Sequence, residues 1–230
     1  VIPPHDFNEK TGFCTYCSKI NENWKSPEAD GFYHLSTVED VEWFSHMVRD
    51  AKHGAMKVKL DNDINFGGVA NAHLPIGASA QKFFGTFDGQ GHTIAAKVGR
   101  AGIFGGIGET PTIKNTHFEF TFANKDFCSG LAWNTWTNWK GWKATLSNLY
   151  ITTTNYYDHS YALFEARFNS LVMNDIYVKL TLDPSCGEVK AATEEKGALF
   201  RTDNTITNGP STSFEGDFRN VQVVTEKFMP

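Results

Sequence analysis

Two thiols one turn apart, Cys14 and Cys17, are the first residues in this 230-residue chain whose types and spacing can do chemistry. A single Cys-x-x-Cys is half of a zinc knuckle, because structural zinc takes four ligands, usually as two such pairs. Cys128 and Cys186 stand alone and are read as buried hydrophobes. A local disulfide, a free thiol pair, or a metal shared with His5 or His34 all satisfy this spacing. In an oxidising compartment the Cys14–Cys17 disulfide is the simplest of these.

The second chemical group is aromatic. Trp133, Trp136, Trp139 and Trp142 fall at spacing three among Asn, Thr, Lys and Gly. Indole offers a broad stacking face and one N–H donor, which suits carbohydrate or a protein partner. The competing reading folds some of these rings back onto the flank of the molecule as local packing. His-Glu-x-x-His, the zinc-peptidase signature, is absent from the chain.

What must position such residues is a repeat. Ile113-Lys114-Asn115-Thr116-His117-Phe118 returns as Leu146-Ser147-Asn148-Leu149-Tyr150-Ile151, as Met173-Asn174-Asp175-Ile176-Tyr177-Val178 and as Phe218-Arg219-Asn220-Val221-Gln222-Val223. A second pattern interleaves with it: Gly102-Ile103-Phe104, Gly130-Leu131-Ala132, Ala162-Leu163-Phe164 and Ala198-Leu199-Phe200. Short segments rich in β-branched and aromatic residues and bounded by turn formers read as strands. Like segments separated by whole intervening segments cannot be hairpin partners, so they pair in parallel as successive coils.

The fold expected is all-β: a single-stranded, right-handed parallel β-helix, the hand following the usual crossover preference. Asn or Asp at the third position suits a corner, because these residues tolerate left-handed backbone. Asn115, Asn148, Asp175 and Asn220 are therefore expected to stack as a ladder, the three Asn buried at the corner. Gly85, Gly89 and Gly91 in Phe84–Ile94 permit positive φ and close coil packing. Asp88 is read there as a turn former before a metal ligand or acid.

Residues 1–35 lack this periodicity and read as an irregular lead-in or a linker. Ser36-Thr37-Val38-Glu39 reads as a capping box, and Val38, Val41, Trp43, Phe44, Met47 and Val48 recur at helical spacing to about Asp50. That helix is expected to cover the open apolar end of the first coil, making 36–230 one domain of capping helix and solenoid.

With positions one, four and six inward, position five faces out, giving His117, Tyr150, Tyr177 and Gln222. Two residues on lie Glu119, Thr152 and Lys179. Neighbouring strands sit about 4.8 Å apart, so these columns predict a flat strip of aromatic and polar groups suited to a sugar chain, or simply an ordinary exposed sheet face. A lyase reading would make Tyr or Lys the base that abstracts a proton beside a uronic acid, usually with Ca²⁺ on clustered carboxylates. Adjacent coils supply no such cluster. A glycoside hydrolase needs two carboxylates about 5–9 Å apart. Glu119 has no acidic partner in its own columns, and Glu165 reaches it only if the cross-section allows. No catalytic residue, metal or cofactor is expected.

Phe84-Gly85-Thr86-Phe87-Asp88-Gly89-Gln90-Gly91-His92-Thr93-Ile94, followed by Ala101-Gly102-Ile103-Phe104-Gly105-Gly106 and Ile113-Lys114-Asn115, resembles the GLUG-motif repeat proteins of bacterial cell surfaces. The runs Gly12–Asn21, Gly31–Val48 and Val58–Gly68 are similar to those proteins as well. The likeness covers residues 12–120 well and 128–230 through the repeat alone. Ala96 and Asp175 depart from the usual Asn. The resemblance implies a secreted or surface-attached bacterial domain with a right-handed β-helix and no demonstrated chemistry. The function expected is non-enzymatic, adhesin-like recognition of carbohydrate or a host surface protein by a monomer. A polysaccharide lyase and a structural spacer are the alternatives.

Composition fits this picture. Net charge −5 and a pI of about 5.9 leave no nucleic-acid footprint. No apolar run approaches the ~20 residues of a membrane span. The chain starts at Val1 without a secretory leader, as expected of a mature or trimmed chain. Thr202–Ser213, rich in Thr, Asn, Gly and Ser, reads as a plain loop.

Overall fold

The computed structural model describes residues 4–17, 19–70, 72–78, 80–99, 101–123, 129–133, 143–156, 162–165, 170–183 and 215–227. They form a mostly parallel sheet and one short helix. The strands are β1 (Tyr33–Leu35), β2 (Lys57–Leu60), β3 (Ile64–Asn65), β4 (Thr86–Asp88), β5 (Thr93–Val98), β6 (Thr112–Phe122), β7 (Ala132–Trp133), β8 (Lys143–Tyr156), β9 (Phe164–Glu165), β10 (Ser170–Leu182) and β11 (Glu215–Lys227). The helix α1 spans Val38–Arg49. Strands run side by side in the order β1-β2-β4-β6-β8-β10-β11, all parallel. The sheet is open, with β1 and β11 at its ends.

Two further rows of parallel contacts accompany this one. β3 pairs with β5, and β5 pairs with the second half of β6, Thr93 opposite His117 through Val98 opposite Phe122. Ile76 bridges Phe104, Phe104 bridges Ala132, and Ala132 pairs with Phe164. The small-apolar-apolar triplets are thus stacked in register wherever they are described; Ala198–Phe200 lies outside the described residues.

Asn115 explains how one strand serves two rows. Its first half, Thr112–Lys114, pairs with β4, and its second half pairs with β5. Between them Asn115 has φ +53°, a left-handed residue that turns the chain and shifts the in–out alternation. Ile113 and Thr116, an odd number of residues apart, are consequently both buried, followed by Phe118, Phe120 and Phe122. Asn148, Asp175 and Asn220 adopt φ of +49°, +56° and +50°, so each later long strand bends at the same register. The first corner, Asp88-Gly89-Gln90-Gly91, uses Gln90 and Gly91 in the left-handed region.

The core runs along the inner face: Val58, Phe87, Ile94, Phe104, Ile113, Phe118, Leu146, Ile151, Met173, Ile176 and Val178 are all buried. Burial stops at the last strand. On β11 the first and sixth motif positions, expected inward, are exposed: Phe218 at 44% and Val223 at 47%. Among the described residues this strand pairs on one side only.

The helix cap is shifted by one residue from the sequence reading. Thr37 is the N-cap and Asp40, not Glu39, returns the bond: Asp40 N–H donates to Thr37 Oγ1, and Asp40 Oδ2 accepts from the N–H groups of Thr37 and Ser36. Lys25 Nζ lies 2.8 Å from the other Asp40 oxygen. The apolar face of α1 packs Phe44 against Phe83, ring centroids 5.6 Å apart. Described residues before Ser36 pack on the sheet and on α1. Tyr33–Leu35 is the first strand of the sheet, Trp24 lies edge-on to Trp43, and Trp43 Nε1 donates to Asn21 O.

Candidate binding groove

Two adjacent rows of side chains, both set by the register of β6, β8, β10 and β11, line a shallow groove of about 360 Å³. The first is the corner row Asn115, Asn148, Asp175 and Asn220. The second is His117, Tyr150, Tyr177 and Gln222, opposite one another in successive strand pairs. Gly91 forms one end of the groove, next to the first corner.

The corner row is hydrogen-bonded between neighbouring strands. Asn115 Nδ2 donates to Asp88 Oδ1 at 2.9 Å, Asn148 Nδ2 to Asn115 Oδ1 at 3.0 Å, and Asn220 Nδ2 to Asp175 Oδ1 at 2.8 Å. Asn174 Nδ2 also donates to Asp175 Oδ2. These amides are not buried as expected. Asn115 is half-buried, while Asn148 and Asn220 are exposed together with Asp175. The left-handed bend points the side chain along the outer edge of the corner, so the ladder borders the groove rather than the core. The buried member is Asp88 at the base of the row, read from the sequence as a turn former first.

The second row is a stack of rings. Tyr150 and Tyr177 lie face to face, centroids 4.8 Å apart and tilted by 10°, and His117 meets Tyr150 edge-on at 4.6 Å. The strand spacing forces this contact: rings on paired residues meet before they can turn outward. The faces that the sequence offered to a ligand are therefore largely spent on each other, and the strip presents ring edges and hydroxyls instead. Tyr150 remains 42% exposed.

His117 ties the row to its flanks. Its Nδ1 lies 3.4 Å from Thr93 Oγ1, its Nε2 3.4 Å from Thr152 Oγ1 and 3.6 Å from Glu119 Oε1. The outer column Glu119, Thr152 and Lys179 is in register. Glu119 and Thr152 also border a second open cleft of about 390 Å³ with Lys97 and Thr154. Lys179 Nζ is bound to Glu226 Oε2 at 2.9 Å. That bond and its charge, with a smaller pull from Tyr177 and Tyr150, hold the ammonium above its ordinary pKa. A Lys held protonated is a poor general base.

Trp133 is on β7 and half-buried. Trp136, Trp139, Trp142, Cys128, Cys186 and the side chain of Glu165 lie outside the described residues, as does Thr202–Ser213. Cys14 is buried and Cys17 exposed, and their sulfurs are not joined to one another. Among the described helices none is long and apolar enough to cross a membrane.

No protein-family model, curated protein or solved structure matches this chain.

Proposed function

We propose that this chain is a right-handed, single-stranded parallel β-helix of the GLUG-repeat kind, and that it acts at a bacterial surface as a non-enzymatic recognition domain for carbohydrate. Three parallel rows of contact joined by left-handed corners support the solenoid, with α1 as its end cap. One observation carries the functional part: β6, β8, β10 and β11 each lend the groove a polar corner side chain (Asn115, Asn148, Asp175, Asn220) beside a second hydrogen-bonding side chain (His117, Tyr150, Tyr177, Gln222), at a spacing close to the ~4.8 Å between strands. A polymer of similar sugar units meets hydrogen-bonding side chains at each step, and a rigid scaffold orders little on binding. Stacked ring edges favour hydrogen bonding over face stacking as the mode of contact.

The spacer reading also draws on a specific observation. Rings and amides that satisfy one another between coils need no ligand to justify them. A glycan-array screen with wild-type protein, Tyr150→Ala and Asn148→Gly separates the two. Recognition requires a wild-type hit that weakens in both variants while the melting temperature falls only by the small amount expected from an exposed site. Binding that survives both changes moves the site elsewhere, with Trp136→Ala and Trp139→Ala as the next variants. No hit across neutral and acidic glycans leaves the spacer.

A further inference from the structure

We propose that His5, Cys14 and Cys17 form a zinc site that closes the N-terminal hairpin. Their ligand atoms all lie within 4.8 Å of one another, and among the described residues they are the only such group of metal donors. The proposal stands apart from the groove and from any reading of it.

The local backbone builds this cluster. Asn8 accepts from the N–H groups of Thr11 and Gly12, and its own N–H donates to Phe13 O, which reverses the chain. Phe7 then bridges Cys14 antiparallel, and Thr15 N–H donates to Asp6 O at 2.8 Å. His5, one residue beyond, is thereby set against the Cys14–Cys17 turn although it is remote from it in sequence. Cys14 N–H donates to Lys19 O at 2.9 Å and fastens the far side of that turn.

Distances fit zinc. With Zn–S near 2.3 Å and Zn–N near 2.0–2.1 Å, a tetrahedral S–Zn–N edge is about 3.6 Å, and Cys17 Sγ lies 3.5 Å from His5 Nδ1. The Tyr16 and Cys17 N–H groups bond the Cys14 sulfur. Peptide N–H groups around a ligating sulfur are what a metal-bound thiolate needs around it. Zn²⁺ binding releases the two thiol protons to solvent and leaves a neutral Cys₂His set. Three side chains leave the fourth position to water.

The experiment uses the whole chain, purified and reduced, with Zn²⁺ competed against a chromophoric chelator and Co²⁺ as the optical probe. Wild type should take one metal per chain and give the thiolate-to-Co²⁺ charge-transfer band. Cys17→Ser and His5→Ala, both at exposed positions, should weaken binding by at least about a hundredfold, the upper range for losing even an outer-shell partner. Their circular dichroism should match wild type. The proposal is overturned if wild type binds no metal, or if His5→Ala binds as tightly as wild type. It is equally overturned if the untreated protein is two hydrogens lighter, with Cys14 and Cys17 joined as a disulfide.

Discussion

The corner row is built twice from the same residue types, with different surroundings. At its base Asp88 is buried, accepts from Asn115 Nδ2 and the Gln90 N–H, and meets Lys114 Nζ at 3.0 Å. Three strands on, Asp175 is exposed and accepts from Asn220 and from its own neighbour Asn174. A carboxylate below two amides continues the ladder, since each amide can donate downward. A carboxylate above an amide breaks it, because Asn148 has already turned its donor toward Asn115 and a carboxylate only accepts. The same side chain is a foundation in one place and an interruption in the other.

Breaking the base should cost most. Gly85 directly precedes the strand that ends at Asp88, and a Cβ there would overlap the Met56 carbonyl oxygen just before β2. Backbone has to move, so Gly85→Ala should destabilise by about 3 kcal/mol, measured by urea unfolding. A loss below the scatter of such measurements would mean that the first coils are looser than their register. Asn148→Leu, in the middle of the row, should cost about 2 kcal/mol, from a branched residue forced left-handed plus one lost hydrogen bond. Asn148→Gly relieves the backbone term and isolates the bond. If Leu and Gly are equally destabilising, the conformational part of this account is wrong.

Much of this was legible in the sequence because the repeat carries its own register. A six-residue pattern with Asn or Asp third places His117, Tyr150, Tyr177 and Gln222 in one column without any knowledge of distance. It also forces a left-handed residue between two inward positions. What the pattern cannot carry is the direction of a side chain once neighbours are stacked. Ring faces that look free in one strand meet the next strand's ring, and corner amides turn out rather than in. The helix cap slipped by one residue because Ser36 and Thr37 are both capping types, and the choice rests on Asp40 reaching back. His5 could be no more than one option beside the two cysteines, since only the Asn8–Gly12 reversal brings them together.

Acid separates the two halves next. Burial raises the Asp88 carboxyl, but the Asn115 amide, the Lys114 ammonium and the Gln90 N–H lower it more, and the group ends below its ordinary value of 3.8. A carboxyl depressed in the folded state binds fewer protons than in the unfolded chain. Its contribution is complete above about pH 4 and is lost as pH falls through the folded value. Asp88→Asn should therefore be less stable than wild type at neutral pH, with the gap closing below pH 4 in paired acid titrations followed by circular dichroism. A gap that stays constant across that range would remove Asp88 as a charged anchor.

The smallest effect is also the one with an unusual sign. Asp175→Asn supplies the donor that the interrupted rung lacks, so its Nδ2 can reach Asn148 Oδ1 as Asn148 reaches Asn115. It keeps Oδ1 for Asn220 Nδ2 and loses the bond that Asn174 Nδ2 makes to Oδ2. Trading one charge-assisted contact at an exposed position for a continuous run of amides should raise stability by about 0.5 kcal/mol, roughly 1–2 °C in melting temperature for a chain of this length. The reverse change, Asn148→Asp, removes the donor to Asn115 and adds an acceptor beside Asp175, and should lower stability. Opposite signs for these two isosteric changes require the ladder to have a direction. If both destabilise, the corner amides act one rung at a time, and the difference between the base and the upper corner is burial alone.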